Sequence, residues 1–162
     1  MKIGVISDTH LATQEIQLPS AILQAFKDMD MIIHSGDLVD FSVIEKLKTV
    51  CGDIRAVYGN MDPEGVRKKL PEKLIIEVGK FRIGVMHGWG HPDKLTALLT
   101  EKFENDNVNV IIFGHSHLAM NEKKRNTLFF NPGSATDKIF ATYNSYGIIE
   151  INDTIKARIV KI

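Results

Sequence analysis

Lys2-Ile-Gly-Val-Ile-Ser-Asp8 is the stretch on which the fold turns: an apolar run of strand length that ends abruptly in polar residues, as a buried strand does when it gives way to a functional loop. Two later runs repeat it. Met31-Ile-Ile-His34 is stopped by Ser35-Gly-Asp37, and Ile54-Arg-Ala-Val-Tyr58 is stopped by Gly59-Asn60. Between these runs the spacing turns helical. Residues 19–27 carry Ile22, Leu23 and Phe26, with Pro19 placed to start a helix, and residues 42–50 line up Val43, Ile44, Leu47 and Val50 on one face. Strand, helix, strand, helix, strand predicts βαβ units and a largely parallel sheet, whose functional groups gather beyond the carboxyl ends of the strands.

The second half reads differently. Residues 73–78, 81–86, 108–113, 127–130, 146–151 and 155–162 have strand character, and one long helix over 92–103 interrupts them. Gly79-Lys80 and Asn152-Asp153 are tight-turn candidates that would close antiparallel hairpins. An α/β protein with two sheets face to face and helices outside is therefore expected. No linker, repeat or low-complexity tract divides the chain, so residues 1–162 are expected to form one domain.

Composition narrows the function classes. At 162 residues and 44% apolar content the chain can bury about 70% of the surface its unfolded form exposes, so it needs no disulfide or metal merely to fold. Twenty basic residues balance twenty acidic ones, which argues against a protein that coats nucleic acid or an anionic membrane. Any attraction for an anion must be local. The lone cysteine, Cys51, cannot form an internal disulfide, the opening apolar run is too short for a signal peptide, and no stretch reaches membrane-span length. A cytoplasmic protein without membrane attachment is expected.

Read in order, the strand ends give Asp8-Thr-His10, Gly36-Asp37-Leu-Val-Asp40, Gly59-Asn60-Met-Asp62, His87-Gly88 and Gly114-His115-Ser-His117. An extended backbone would put both side chains of an i, i+2 pair, Asp8/His10 or His115/His117, on one side, where they could grip one ion. Glycines beside Asp37, Asn60, His87 and His115 would let the chain turn so that each ligand projects over its strand end. Taken singly, a histidine or a Gly-Asp pair is ordinary. One metal centre explains all five strand ends together. Two divalent ions bring four positive charges, Asp8 and Asp37 remove two, and the other donors are neutral. With a bridging hydroxide the centre keeps about one net positive charge, enough to attract a phosphate ester to a neutral protein. Carboxylate, amide and imidazole donors without thiolate suit Mn²⁺, Ni²⁺, Fe²⁺, Co²⁺ or Zn²⁺.

With these residues in place, the chain resembles the calcineurin-like metallophosphoesterases, and more narrowly their small prokaryotic phosphodiesterase branch, which shares its fold with a retromer scaffold subunit. The ordered set from Asp8 through Gly114-His115-Ser116-His117 to Asn131-Pro132-Gly133-Ser134 carries the likeness over nearly the whole chain. The resemblance implies a four-layer α/β/β/α sandwich with two mixed sheets and a two-metal centre, Mn²⁺ being favoured. It places Asp8, His10 and His117 on one metal, Asn60, His87 and His115 on the other, and Asp37 between both. It further implies a hydrolase of phosphodiesters that works through a metal-activated hydroxide, without a covalent enzyme intermediate. Asp37 and Asn60 would then act in catalysis as well as in binding.

Two departures bear on mechanism. Many family members have a histidine directly after the asparagine; this chain has Met61, which cannot donate a proton. Many in the small branch read His-Gly-His, whereas here the sequence is His87-Gly88-Trp89. His91 is either a substitute acid or phosphate contact, or an ordinary helix-start residue. Trp89 either stacks on substrate or packs under a loop. Asp40 and Asp62 are candidates to orient histidines, or else a helix cap and a turn start. His34 reads as packing, the 122–125 run as a solvated hairpin turn, and Cys51 as a small buried residue. The expected partner is a small phosphodiester, with nucleic acid entering only as substrate, and exposed sheet edges allow a homodimer. A phosphomonoesterase, or a catalytically silent scaffold on the same fold, are the alternatives.

Overall fold

The computed structural model describes residues 1–12 and 17–162. Its first half follows the expected alternation: β1 (Lys2–Ile6), α1 (Ser20–Phe26), β2 (Met31–His34), α2 (Ser42–Lys48) and β3 (Ile54–Ala56). A short helix not foreseen from the sequence, α3 (Glu64–Arg67), follows Pro63. Then come β4 (Lys73–Val78), β5 (Phe81–Met86), a 3-10 turn (Pro92–Lys94), α4 (Leu95–Lys102), β6 (Val110–Ile112), β7 (Met120–Lys124), β8 (Thr127–Asn131), β9 (Ser145–Ile151) and β10 (Ile155–Lys161).

The strands form two mixed five-stranded sheets, ordered β10-β9-β1-β2-β3 and β4-β5-β6-β8-β7. β1, β2 and β3 run parallel, with Ile3 opposite Met31 and Ile32 opposite Ile54, while β9 joins β1 in antiparallel sense. The hairpin turns at Gly79-Lys80 and at Asn152-Asp153 are as expected, and both join antiparallel pairs. Side-chain alternation explains why the early strands look continuously apolar, since both faces of the sheet are covered. Ile3, Val5, Met31 and Ile33 point into the layer between the sheets. Ile6 and Ile32 point the other way, onto Ile22 and Phe26 of α1 and Val43, Ile44 and Leu47 of α2. Under the second sheet, Ile111 and Phe129 meet Leu95 and Leu99 of α4 and Phe103 behind it. Helices, sheet, sheet, helix make up the four layers.

Two sequence expectations are corrected. The predicted 92–103 helix is divided: Pro92 opens a 3-10 turn, and the α-helix begins only at Leu95. Glu122, Lys123 and Lys124 belong to edge strand β7, paired with β8, and the turn is the following Arg125-Asn126. An outer strand with charged residues blocks pairing with a foreign strand, which hides it from an apolar-run reading. No described helix is long and apolar enough to cross a membrane.

Candidate metal centre

Each functional side chain sits just past a strand. Asp8 N–H donates to Gly36 O at 3.0 Å, and His10 N–H to Asp37 O at 3.1 Å, which locks the loop after β1 to the loop after β2. Gly114 N–H donates to His87 O at 3.2 Å, which joins the loops after β5 and β6. His115 N–H reaches across from the second sheet to Asp8 Oδ1 at 3.2 Å. Loops from both sheets thus converge on one point.

The backbone there differs from the extended geometry expected for the i, i+2 pairs. Asp8, His10, Asp37, His115 and His117 have φ of 51°, 44°, 56°, 68° and 58°, all left-handed. Such a conformation costs a non-glycine residue about 1–2 kcal/mol, and it persists only where the surroundings impose it. The pairs do converge, but through left-handed turns. Ser134 Oγ–H donates to Asp8 O at 2.7 Å, Thr136 Oγ1–H to Thr9 O at 2.5 Å, and Asn131 Nδ2 to Gly114 O at 2.9 Å. The Asn131-to-Ser134 motif therefore braces the loops that carry the ligands. Buried Asp62 accepts from the N–H groups of Asp37, Val39 and Gly59 at 3.1, 2.6 and 2.7 Å. Of the glycines singled out for turning, Gly36 and Gly88 do have positive φ, at 102° and 86°. Gly59 and Gly114 serve another purpose, because a Cβ at either would collide with Asp37 or with Asp8 and His87.

Two groups of donors result. Asp8, His10 and His117 form one, and Asp8, Asp37 and His87 the other, with the ligand atoms of each group within 4.8 Å of one another. Asp37 Oδ2 stands 3.2 Å from His87 Nε2 and 3.8 Å from His10 Nε2, between the two groups. His115 lies beside them rather than within either. Its ring is 5.5 Å from that of His87, and its nitrogens face Asn60 Oδ1 and Gly90 O, each at 2.8 Å.

The residues suit a cation. Asp8 Oδ2 and His87 Nε2 are buried with no hydrogen-bond partner among the described residues. Burying unpaired polar atoms of this kind is costly, and a metal ion would satisfy both with the donor chemistry already present. The charge pattern agrees. Burial opposes ionisation of Asp8 and Asp37, but the imidazoles beside them reverse this and both stay below the ordinary carboxylate range. Burial would likewise push His87 down, and the Asp37 and Asp8 carboxylates turn the shift upward. His117, half-buried between Asp8 and Asp137, is raised to about 9 against its own desolvation.

Other sequence candidates fall into place. His34 is fully buried, in contact with Thr9 Oγ1 at 3.1 Å, and accepts from Gly36 N–H, so it packs and braces. Asp40 accepts from Ser42 N–H at 2.7 Å, as a helix-start residue does. His91 is exposed and accepts from Asp93 N–H at the head of the 3-10 turn; these are the contacts of a helix-start residue. Trp89, half-exposed, lines a separate groove with Tyr58 and Arg67, and Lys102 sits over its ring. Buried Cys51 donates to Met29 O.

Sequence reasoning missed two things. Asp137 accepts from His117 Nδ1. An aspartate three residues beyond Ser134 was visible, but no spacing rule marks it. Ile139 and Phe140, 82% and 72% exposed, line a cleft of about 750 Å³ that reaches from His10, Asp37, Asn60 and His117 to Met61.

Known proteins agree with this architecture. The Calcineurin-like phosphoesterase superfamily domain matches residues 1–154. A probable metallophosphoesterase of Methanocaldococcus jannaschii is 36% identical over 165 residues, covering all of this chain and 82% of that protein. Crystalline Vps29 of Entamoeba histolytica, a D62A mutant in its own numbering, superposes with a TM-score of 0.77 at 25% identity over 100% of this chain and 99% of that one. An archaeal phosphodiesterase shares the fold at a TM-score of 0.78 and 23% identity, over 99% of this chain and 100% of that one. With the domain match spanning nearly its full length and the two donor groups at the strand ends, the chain belongs to the calcineurin-like phosphoesterase superfamily.

Proposed function

We propose that the chain is a metal-dependent phosphodiesterase. Asp8, His10 and His117 would hold one divalent cation and Asn60, His87 and His115 the other, with Asp37 available to both, and Mn²⁺ would be the first choice among Mn²⁺, Ni²⁺, Fe²⁺, Co²⁺ and Zn²⁺. The observation that carries this reading is the pair of buried orphan atoms, Asp8 Oδ2 and His87 Nε2, next to Asp37 and the open cleft. When bound, such cations supply Lewis acidity: they make water acidic near neutral pH and offset charge on phosphoryl oxygens.

The chain's own residues do the rest. Asp8 and Asp37 bring the anionic donors, and Asp62 and Ser134 hold their loops in shape. Asn60 Oδ1 lies against His115, at the side of the cleft where an ester oxygen would enter. Met61 N–H donates to Asp37 Oδ1 at 2.7 Å, and its side chain stands 58% exposed. A thioether has no proton to give, so the site suits diesters with good leaving groups over monoesters or alkoxide leaving groups. We further take residues 1–162 to act as one domain in a reducing cytoplasm, where the buried thiol of Cys51 persists.

The test is Mn²⁺-dependent hydrolysis of bis(p-nitrophenyl) phosphate against p-nitrophenyl phosphate, in wild type and Asp37→Ala. We expect a higher kcat/KM for the diester and loss of turnover in the variant. Equal activity in both proteins ends the reading, and a preference for the monoester replaces it with phosphomonoesterase. The exposed apolar pair Ile139 and Phe140 favours a second reading, a binding scaffold that keeps the fold, to which tight Mn²⁺ binding without turnover on any ester would point.

A further inference from the structure

We propose that Asp137 is a positioning residue that ties the ligand His117 to the apolar lip of the cleft, so that one carboxylate orients the imidazole and shapes the surface that receives the substrate's ester group. This rests on the phosphodiesterase reading above. Four donors converge on that carboxylate. Oδ2 accepts from His117 Nδ1 and from Phe140 and Ala141 N–H at 3.0 Å each, and Oδ1 accepts from Ile139 N–H at 2.8 Å. Three of the four are backbone groups of the segment that carries the lip.

The consequence for His117 is a fixed tautomer. A neutral imidazole, the form that ligates a metal, keeps its lone pair on Nε2 when it donates from Nδ1, and that atom stands 3.3 Å from Asp8 Oδ1 and 3.1 Å from His10 Nε2, inside the first donor group. A carboxylate behind a ligating histidine also makes it a better donor, and losing such a partner weakens metal binding about 10- to 100-fold.

The consequence for the lip is shape. Ile139 and Phe140 have little core to hold them, and the Phe140 ring meets His117 edge-on at 5.9 Å. Asp137 itself is held by Ser134 Oγ, which accepts its N–H at 3.0 Å, and by Asn144 Nδ2, which donates to its carbonyl at 2.6 Å. The segment therefore wraps around a carboxylate that is anchored on the same serine that braces Asp8. An apolar wall beside a cationic centre fits a phosphodiester with one uncharged aromatic or alkyl ester group, the phosphorus on the centre and the organic group on Phe140 and Ile139.

The experiment uses the full chain stripped of metal. Mn²⁺ is titrated calorimetrically into wild type, Asp137→Ala and Asp137→Asn, with the melting temperature of each followed in parallel. Phenylphosphonate and methylphosphonate, neither of which can be turned over as a diester, are then titrated into the Mn²⁺-loaded proteins. We expect one Mn²⁺ step to weaken about 10- to 100-fold in Asp137→Ala, and the preference for phenyl over methyl to shrink. Asp137→Asn keeps an oxygen for His117 but no charge, so it should recover part of both.

A purely structural role would lower the melting temperatures and leave Mn²⁺ affinity and phenyl preference alone, and that result overturns the proposal. If Asp137→Ala does not fold, Asp137→Asn decides: wild-type values for both ligands overturn it, and weakened values support it. A wild-type protein that binds no Mn²⁺ overturns the phosphodiesterase reading and this inference with it. A wild type that binds Mn²⁺ beside variants that match it overturns this inference alone.

Discussion

Replacing Asp62 by alanine removes a side chain that touches no candidate ligand atom yet holds up the loops carrying two of them. The carboxylate is 3% exposed and accepts three backbone N–H bonds, from Val39, Gly59 and Asp37. A hydrogen bond to a charged acceptor is worth about 1.5–3 kcal/mol. Three such bonds to one group do not add, and burial has already raised the Asp62 pKa, so part of their energy offsets desolvation of the charge. A net loss of about 3–4 kcal/mol follows for Asp62→Ala, which lowers the melting temperature by about 10 °C at this chain length. Asp62→Asn keeps an acceptor and has no charge to desolvate, so it should lose about 1–2 kcal/mol.

The sign of the pH effect separates the two contributions. Because the folded pKa is raised, the folded chain holds a proton that the unfolded chain releases above its ordinary value of 3.8. Across that window stability falls as pH rises, and at neutral pH the charge penalty is complete. The advantage of wild type over Asp62→Asn should therefore widen on acidification. Urea denaturation of the three metal-free proteins from pH 7 down to pH 4, just above the unfolded value, measures all of this. A loss below about 1 kcal/mol in Asp62→Ala would refute the bracing role.

Two further outcomes are expected. Burial pushes His34 from 6.5 down to about 3, so below pH 6.5 the unfolded chain takes up a proton that the folded chain refuses. Its contribution is complete above pH 6.5 and is lost at about 1.4 kcal/mol per pH unit on the way down, and His34→Gln should flatten the stability profile by that slope; an unchanged slope between pH 6 and 4.5 contradicts the assignment. Met61→His places an imidazole on the cleft, and should raise kcat on diesters with alkoxide leaving groups about 100-fold while barely moving bis(p-nitrophenyl) phosphate. The same gain on both esters would remove the leaving-group argument.

How far the sequence could be read depended on whether a feature was a pattern or a contact. The inner strands of both sheets were legible because burial on two faces leaves unbroken apolar runs, as in Val5, Ile6, Ile32 and Ile33 of the first sheet and Val110, Ile111 and Ile112 of the second. The clustering of Asp8, His10, Asp37, His87 and His117 was legible because glycines and metal-capable residues recur at successive strand ends. β7 was not, since an edge strand facing solvent carries lysines for the same reason a loop does. The extended geometry expected for Asp8/His10 and His115/His117 failed because their loops are shaped by Ser134, Thr136 and Asn131, which other parts of the chain bring to them. Asp137 went unseen on the same ground: only the folded chain brings it behind His117. The roles of Gly59 and Gly114 were misread as flexibility when the need is for room beside Asp37 and Asp8.

The central place of β1 sets an order of events for a chain emerging from a ribosome. Asp8 is made long before β9, one of the two neighbours of its strand, which spans Ser145–Ile151, and before Ser134 and Thr136, which brace its loop. Until residues 145–151 have been made, β2 sheathes one side of β1 and nothing sheathes the other. Tight capture of a cation at Asp8 should therefore wait until residues 145–151 have joined the sheet, because the pairing that sheathes β1 spans more than a hundred residues of chain.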